Sequence, residues 1–322
     1  MKNRKHRFIF FGIISLFLVF PVWSQPRTLF RDVNKETLVY AVKDGKELFL
    51  DKYQPKKTSP KMPCVVFMFG GSFRSGMRNN HQYFDYFDDL SAKGYTVVSI
   101  DYRLGLKSAS PRDAQEALMA LKNAIDMAVD DLYDATNYIL KHAMKWQVDP
   151  EKIIISGSSA GAIAVLQSEY ERCNETTLAS KLPAHFQYAG VIGFAGAVLS
   201  FDTLQYKNKP APVLLFHGDC DDTVPFSKIS METVGFSGSG EISSLMYEAG
   251  LPYCLYQYVG SKHEIATSPM KNNLPEIQRF LELLVKEKQP LMLNVRIQES
   301  DKESTCPNLT IEDFIRSNFA HP

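Results

Sequence analysis

Residues 152–166, KIIISGSSAGAIAVL, decide how this chain is read. Ile153, Ile154 and Ile155 make a strand that is apolar on both faces, as buried parallel strands are. The residues from Ala160 onward are helix formers. Between the two, Gly157-x-Ser159-x-Gly161 marks a sharp strand-to-helix turn. A serine at the apex of such a turn holds a strained backbone. Side chains two residues to either side would collide, so glycine is needed on both flanks. The turn lifts the Ser159 hydroxyl to the carboxyl end of the sheet. It also aims the first N–H groups of the next helix, beginning with that of Ala160, at the same point. A serine triad on this frame requires an acid and then a histidine further along the chain.

Both follow in order. The run Val213–His217 leads into Gly218-Asp219-Cys220-Asp221-Asp222-Thr223-Val224-Pro225, where three acids compete. Loop acids beside Gly and Pro commonly serve the backbone, so spacing alone leaves all three open. Beyond them stand two histidines. His321 is penultimate in a weakly patterned tail, whereas His263 follows the strand-like run Tyr253–Val259 in the loop Gly260-Ser261-Lys262-His263. That is where a general base must hang to reach across the sheet's end. A second glycine turn, Gly70-Gly71-Ser72-Phe73, follows the apolar run Cys64–Phe69. Gly71 and Ser72, with Ala160, are the candidate N–H donors to an oxyanion.

The rest of the chain alternates short Val/Ile/aromatic runs with stretches of helical period, the pattern of βαβ units and a mostly parallel sheet. Eight strands are expected, at Thr37–Val42, Glu47–Tyr53, Cys64–Phe69, Thr96–Asp101, Lys152–Ser156, Gly190–Phe194, Val213–His217 and Tyr253–Val259. Only four residues separate the first two, so they form a hairpin. Leu132, Ala135, Ile139, Ala143 and Trp146 form one helical stripe, and Ile277, Phe280, Leu281 and Leu284 another. The tail from Lys288, with Pro290, Pro307 and Pro322, reads as an appendage on the domain that spans residues 25–287.

Residues 1–24 stand apart. Lys2, Arg4, Lys5 and Arg7 precede the uncharged run Phe8–Phe20, then Pro21 and a small residue, Ser24, before Gln25. This reads as a cleaved signal peptide, its apolar core shorter than the roughly 20 residues that span a bilayer. The expectation is export to the periplasm or medium, with no membrane insertion afterwards. The whole chain carries 36 basic and 36 acidic residues; without the four basic ones in this segment it is mildly acidic, which points away from a nucleic-acid partner. Five cysteines, at 64, 173, 220, 254 and 306, follow no metal-ligand spacing, and an odd number leaves at least one thiol without a partner in the chain. No cofactor or metal is called for.

Taken together, FGGSF (69–73), DYRL (101–104), the run from Asp149-Pro150 to Gly161, HGDCDDTVP (217–225) and GSKH (260–263) resemble the carboxylesterase and acetyl-esterase branch of the α/β-hydrolase superfamily. Within it the compact bacterial feruloyl and acetylxylan esterases look most alike, over roughly residues 35–287. The resemblance implies an α/β-hydrolase fold with helices on both faces of the sheet and no large cap, since only Ala195–Pro210 separates the sixth and seventh strands. It implies Ser159, Asp221 and His263 as the triad, Asp221 being the acid in H-G-x-x-D-x-x-V-P, and His217 as a packing residue at a strand end. It also implies a small-molecule or carbohydrate ester as substrate, cleaved without a cofactor. One departure is visible: the oxyanion loop of such enzymes usually begins with His, and here Phe69 stands in that place. The longest insertion, Gly105–Ala128, is either a wall of the substrate pocket or an extra helix outside the sheet. A prolyl-oligopeptidase-like serine peptidase and an inactive binding module are the competing readings.

Overall fold

The computed structural model describes residues 29–201, 203–231, 234–298, 306 and 309–319; the expected signal segment lies outside them. Twelve strands form among the described residues: β1 Val33–Lys43, β2 Lys46–Pro55, β3 Met62–Met68, β4 Thr96–Ile100, β5 Val148–Ser158, β6 Gly190–Phe194, β7 Ala197–Phe201, β8 Val213–Gly218, β9 Lys228–Met231, β10 Val234–Gly238, β11 Tyr253–Val259 and β12 Met292–Gln298. The helices are α1 Phe84–Ala92, α2 Ala114–Trp146, α3 Ala160–Cys173, α4 Ser239–Glu248, α5 Pro269–Asn272, α6 Leu274–Phe280 and α7 Ile311–Phe319.

Nine strands make one sheet in the order β1-β2-β4-β3-β5-β6-β8-β11-β12. β1 and β2 form the expected antiparallel hairpin, and β2 also runs antiparallel to β4. All later neighbours are parallel. Parallel strands need helical crossovers, and those helices cover the sheet, so β3, β4, β6 and β8 are buried along their length.

The sheet has nine strands, not eight. The ninth, β12, comes from the stretch read as an appendage. It pairs in parallel with β11 at the sheet's edge. Leu293, Val295 and Ile297 are half-buried while Met292, Asn294, Arg296 and Gln298 are exposed, the alternation of a strand covered on one face. The connection between β6 and β8 contains β7. This pairs with β10, which pairs with β9, in a small antiparallel sheet. The insertion at 105–128 is largely the first half of α2, a single helix of 33 residues whose second half carries the expected stripe. Asp113 caps its start by accepting the Glu116 N–H at 2.8 Å.

The turn after β4 is fastened to α2 through charge. The backbone N–H of Arg103 donates to Asp131 Oδ2 at 2.7 Å and its Nε donates to Oδ1 at 2.9 Å, while Nη2 reaches Asp130 at 2.7 Å. Asp131 is fully buried. Replacing the arginine leaves that carboxylate with a single backbone donor and no counter-charge. Arg103→Met is therefore expected to lower unfolding free energy by about 3–5 kcal/mol in chemical denaturation. Arg112→Ala, at the exposed Arg112–Glu116 pair, should leave the denaturation curve where it was.

Candidate active site

The turn between β5 and α3 is built on close approach. Ser159 sits at φ 52°, ψ −119°, a strained conformation for a residue with a side chain. A Cβ on Gly157 would lie 2.2 Å from the Gly161 carbonyl oxygen, and one on Gly161 would lie 2.1 Å from that of Met68 at the end of β3. Neither site admits any side chain. The Ser159 N–H donates to the Phe194 carbonyl at 2.8 Å, which pins the apex to the end of β6. The neighbouring Ser158 hydroxyl is taken, donating to the Ala266 carbonyl at 2.8 Å.

The structure brings Ser159, His263 and Asp221 together. Ser159 Oγ lies 2.8 Å from His263 Nε2, and His263 Nδ1 lies 2.8 Å from Asp221 Oδ2. The carboxylate requires the proton on Nδ1, which assigns Nε2 as the acceptor facing the serine. Tertiary structure also sorts the three acids. Asp219 accepts from the Gly260 N–H at 2.7 Å and from Gln257 Nε2 at 2.9 Å, stapling the loop after β8 to β11 and the loop that follows it. Asp222 forms an exposed pair with Lys262 at 2.9 Å. Asp221 alone is buried against the imidazole.

Asp221 has more support than the histidine. Its Oδ1 accepts the N–H groups of Thr223 at 2.8 Å and Val224 at 3.0 Å. Its Oδ2 lies 3.3 Å from Nε2 of His217. Burial alone would raise its pKa; hydrogen bonds from His217 and His263, with their positive potential, overcome that and hold it well below the ordinary carboxylate range. His217, expected to be a packing residue, is thus a buried partner of the acid. Its Nε2 also lies 3.2 Å from the Val224 carbonyl, so two acceptors fix the proton there, and Nδ1 accepts from Ser239 Oγ at 2.8 Å. A signal was available: an imidazole closing an apolar buried strand must find polar partners.

The second glycine turn lies against the serine. A Cβ on Gly70 would come within 3.0 Å of Ser159 Cβ. Gly71, Ser72 and Phe73 all have positive φ (137°, 50° and 54°), and the Gly71 carbonyl accepts the N–H groups of Arg74 and Ser75. Among the described residues, the N–H groups of Gly71, Ser72 and Ala160 meet no backbone carbonyl. Phe69, standing where the related loop begins with His, stacks on Tyr102 with ring centroids 4.5 Å apart. The Tyr102 hydroxyl donates to the Phe69 carbonyl at 2.8 Å, and the Tyr83 hydroxyl accepts the Gly70 N–H at 3.1 Å. Two phenols and a ring stack brace this loop.

The sheet order, the strained serine between a parallel strand and a helix, and the acid and histidine on the next two loops are one arrangement. The chain has the α/β-hydrolase fold. The BD-FAE family matches residues 50–209. Gut esterase 1 of Caenorhabditis briggsae is 28% identical over 37% of this chain and 20% of its own length. Neutral cholesterol ester hydrolase 1 of Pongo abelii is 27% identical over 53% of this chain and 38% of its own. The chain thus spans well under half of these curated relatives. The butyrate-bound esterase of Thermogutta terrifontis superimposes with a TM-score of 0.57 at 21% identity, over 79% of this chain and 95% of that one.

Within this fold the buried carboxylate makes a pH-dependent contribution to stability. Its folded pKa lies below the unfolded value, so the stabilisation is present above the ordinary carboxylate range, near 4, and is lost as the pH falls through the folded value. Asp221→Asn should therefore cost stability at pH 7 and progressively less in acid below pH 3. Asp222→Asn should cost little at either pH. Paired thermal denaturation of the two variants at both pH values checks this.

Proposed function

We propose that the protein is a serine carboxylesterase that cleaves short-acyl esters of small-molecule or carbohydrate alcohols through an acyl-serine. The observation that carries this is the continuous chain of 2.8 Å contacts from Ser159 Oγ to His263 to Asp221, set beside a turn whose Gly71 and Ser72 N–H groups meet no backbone carbonyl among the described residues. His263 takes the Ser159 proton as Oγ attacks the ester carbonyl. The oxyanion meets the N–H groups of Ala160, Ser72 and Gly71. His263⁺, stabilised by Asp221, then protonates the leaving alcohol. Water enters, gives its proton to His263, and releases the acid and free serine. Each oxyanion donor contributes on the order of 3–4 kcal/mol to lowering the barrier.

The short-acyl reading is supported by the absence of a long insertion between β6 and β8, and by the butyrate held by the Thermogutta terrifontis esterase that shares this fold. The alcohol side is assigned to the start of α2. A cavity of about 470 Å³ there is lined on one part by Ser110, Gln115, Glu116 and Asn123, whose polar groups suit sugar hydroxyls, and on the other by Ala109, Pro111, Met119 and Ala120. The stretch leading to it is tied to the turn at Gly71, the Leu106 N–H donating to the Phe73 carbonyl at 3.0 Å and Arg74 Nη2 reaching the Ala109 carbonyl at 3.4 Å. Export is supported by the residue 1–24 pattern and by a disulfide between Cys220 and Cys306; Cys64, Cys173 and Cys254 are buried free thiols.

Ser159→Ala should abolish hydrolysis of nitrophenyl acetate while leaving the circular-dichroism spectrum intact. An organophosphonate should label Ser159 and no other serine by mass spectrometry; near-normal turnover by the variant would end the serine mechanism. Asp221→Asn should lower kcat by up to about 10⁴, the scale of a wrong-tautomer histidine, against little change for Asp222→Asn. Across nitrophenyl acetate, butyrate, octanoate and palmitate, kcat/KM should peak at acetate or butyrate. A long acyl chain is favoured only where each methylene finds an apolar wall, at about 0.8 kcal/mol apiece.

A further inference from the structure

The C-terminal segment is joined to the active site at three places. First, Cys306 is disulfide-bonded to Cys220, the residue immediately before Asp221. Second, α7 is buried on the acid side of the site: Ile311, Phe314 and Ile315 are core residues, and the Phe314 ring lies 4.4 Å from that of Phe236 on β10. Third, the far end of the helix reaches the oxyanion side. There the Arg74 guanidinium lies 4.9 Å from the centre of the Phe319 ring, and Arg74 is the residue whose N–H closes the Gly71 turn. Along its length α7 also packs on α2 and β9. Thr310 and Asp313 cap its start reciprocally, Thr310 Oγ1 donating to Asp313 Oδ2 at 2.7 Å and accepting the Asp313 N–H at 3.1 Å.

Ser159 lies between these two sides, with the oxyanion turn on one flank and the acid loop on the other. Helix α7 is anchored at Phe236 near the first side and ends at Arg74 on the second. We propose that α7 (Ile311–Phe319), with Cys306 pinned to Cys220 by the disulfide, acts as a strap that walls the mouth of the site and whose Phe319 limits the bulk of ester admitted. This rests on Ser159 being the nucleophile. The strap supplies from the C-terminus what other architectures supply by inserting a cap within the sheet. Phe319 is a specificity-determining residue, and the disulfide is what keeps it in place.

The test compares the wild-type protein, Cys306→Ser and Phe319→Ala for the rate of Ser159 phosphylation by two probes. One is small, diethyl nitrophenyl phosphate; the other is a fluorophosphonate carrying a rhodamine. The strap predicts that the bulky-to-small rate ratio rises roughly tenfold in both variants, the scale on which a pocket wall sorts substrates by size. Phe319→Ala leaves the disulfide intact, so it decides the matter if Cys306→Ser fails to fold. An unchanged ratio in a folded Phe319→Ala variant overturns the strap, as does an equal fall for both probes in Cys306→Ser with no change in ratio, since that would mean the disulfide only steadies the Asp221 loop. Failure of the wild-type serine to react with the small probe overturns the nucleophile assignment, and the strap with it.

Discussion

Three backbones meet at the apex of the Ser159 turn with no room for a side chain. Gly157 faces the Gly161 carbonyl, and Gly161 faces the end of β3 at Met68, both at distances that exclude a Cβ. That contact lets α3 depart directly over the sheet. It sets the Gly70–Phe73 turn, which continues from β3 through Phe69, against Ser159. Because β5 lies beside β3 and β6, the same approach fixes where the carboxyl end of the sheet opens. The strain at Ser159 is held by the surrounding sheet: its N–H is tied to Phe194 on one neighbouring strand, and Ser158 to Ala266 beyond the histidine.

Charge is handled differently on the two sides of the serine. On the acid side, a buried carboxylate is surrounded by donors: two backbone N–H groups and two imidazoles. Buried carboxylates remain ionised only when their lone pairs are satisfied in this way. On the side of the Gly71 turn no carboxylate takes part in the bracing. Phe69, Tyr102 and Tyr83 hold the loop through stacking and two phenol hydrogen bonds. A buried, donor-satisfied carboxylate and a turn rich in backbone N–H groups thus lie on the two flanks of a single hydroxyl.

The C-terminal residues tie these poles together from outside. β12 closes the sheet's edge beside β11, whose following loop holds His263, and α7 packs against the small β7-β10-β9 sheet and α2. The link at Cys220 makes the acid loop and the C-terminus one covalent unit. A chain with a short connection between β6 and β8 has thereby gained cover for its site from a segment far away in sequence.

Local pattern determined a good deal of this molecule. Ile153–Ile155 before Gly-x-Ser-x-Gly, and a helix after it, are consequences of nearest-neighbour sterics, which any window of fifteen residues contains. The eight strands were legible for the same reason, and β12 was within reach, since Leu293, Val295 and Ile297 alternate with polar residues between Pro290 and the end of the run. The order of acid and histidine, and the family's acid motif, pointed to Asp221. What no window contains is a meeting between residues distant in the chain. Asp219, Asp221 and Asp222 differ only in what the fold brings to them: Gly260 and Gln257, the imidazoles of His217 and His263, and Lys262. The pairing of Cys220 with Cys306 and the seat of Phe319 on Arg74 are likewise decided by tertiary structure, because covalent and van der Waals contact depends on where sheet and helix packing put two groups, while sequence pattern reports only what each group would tolerate.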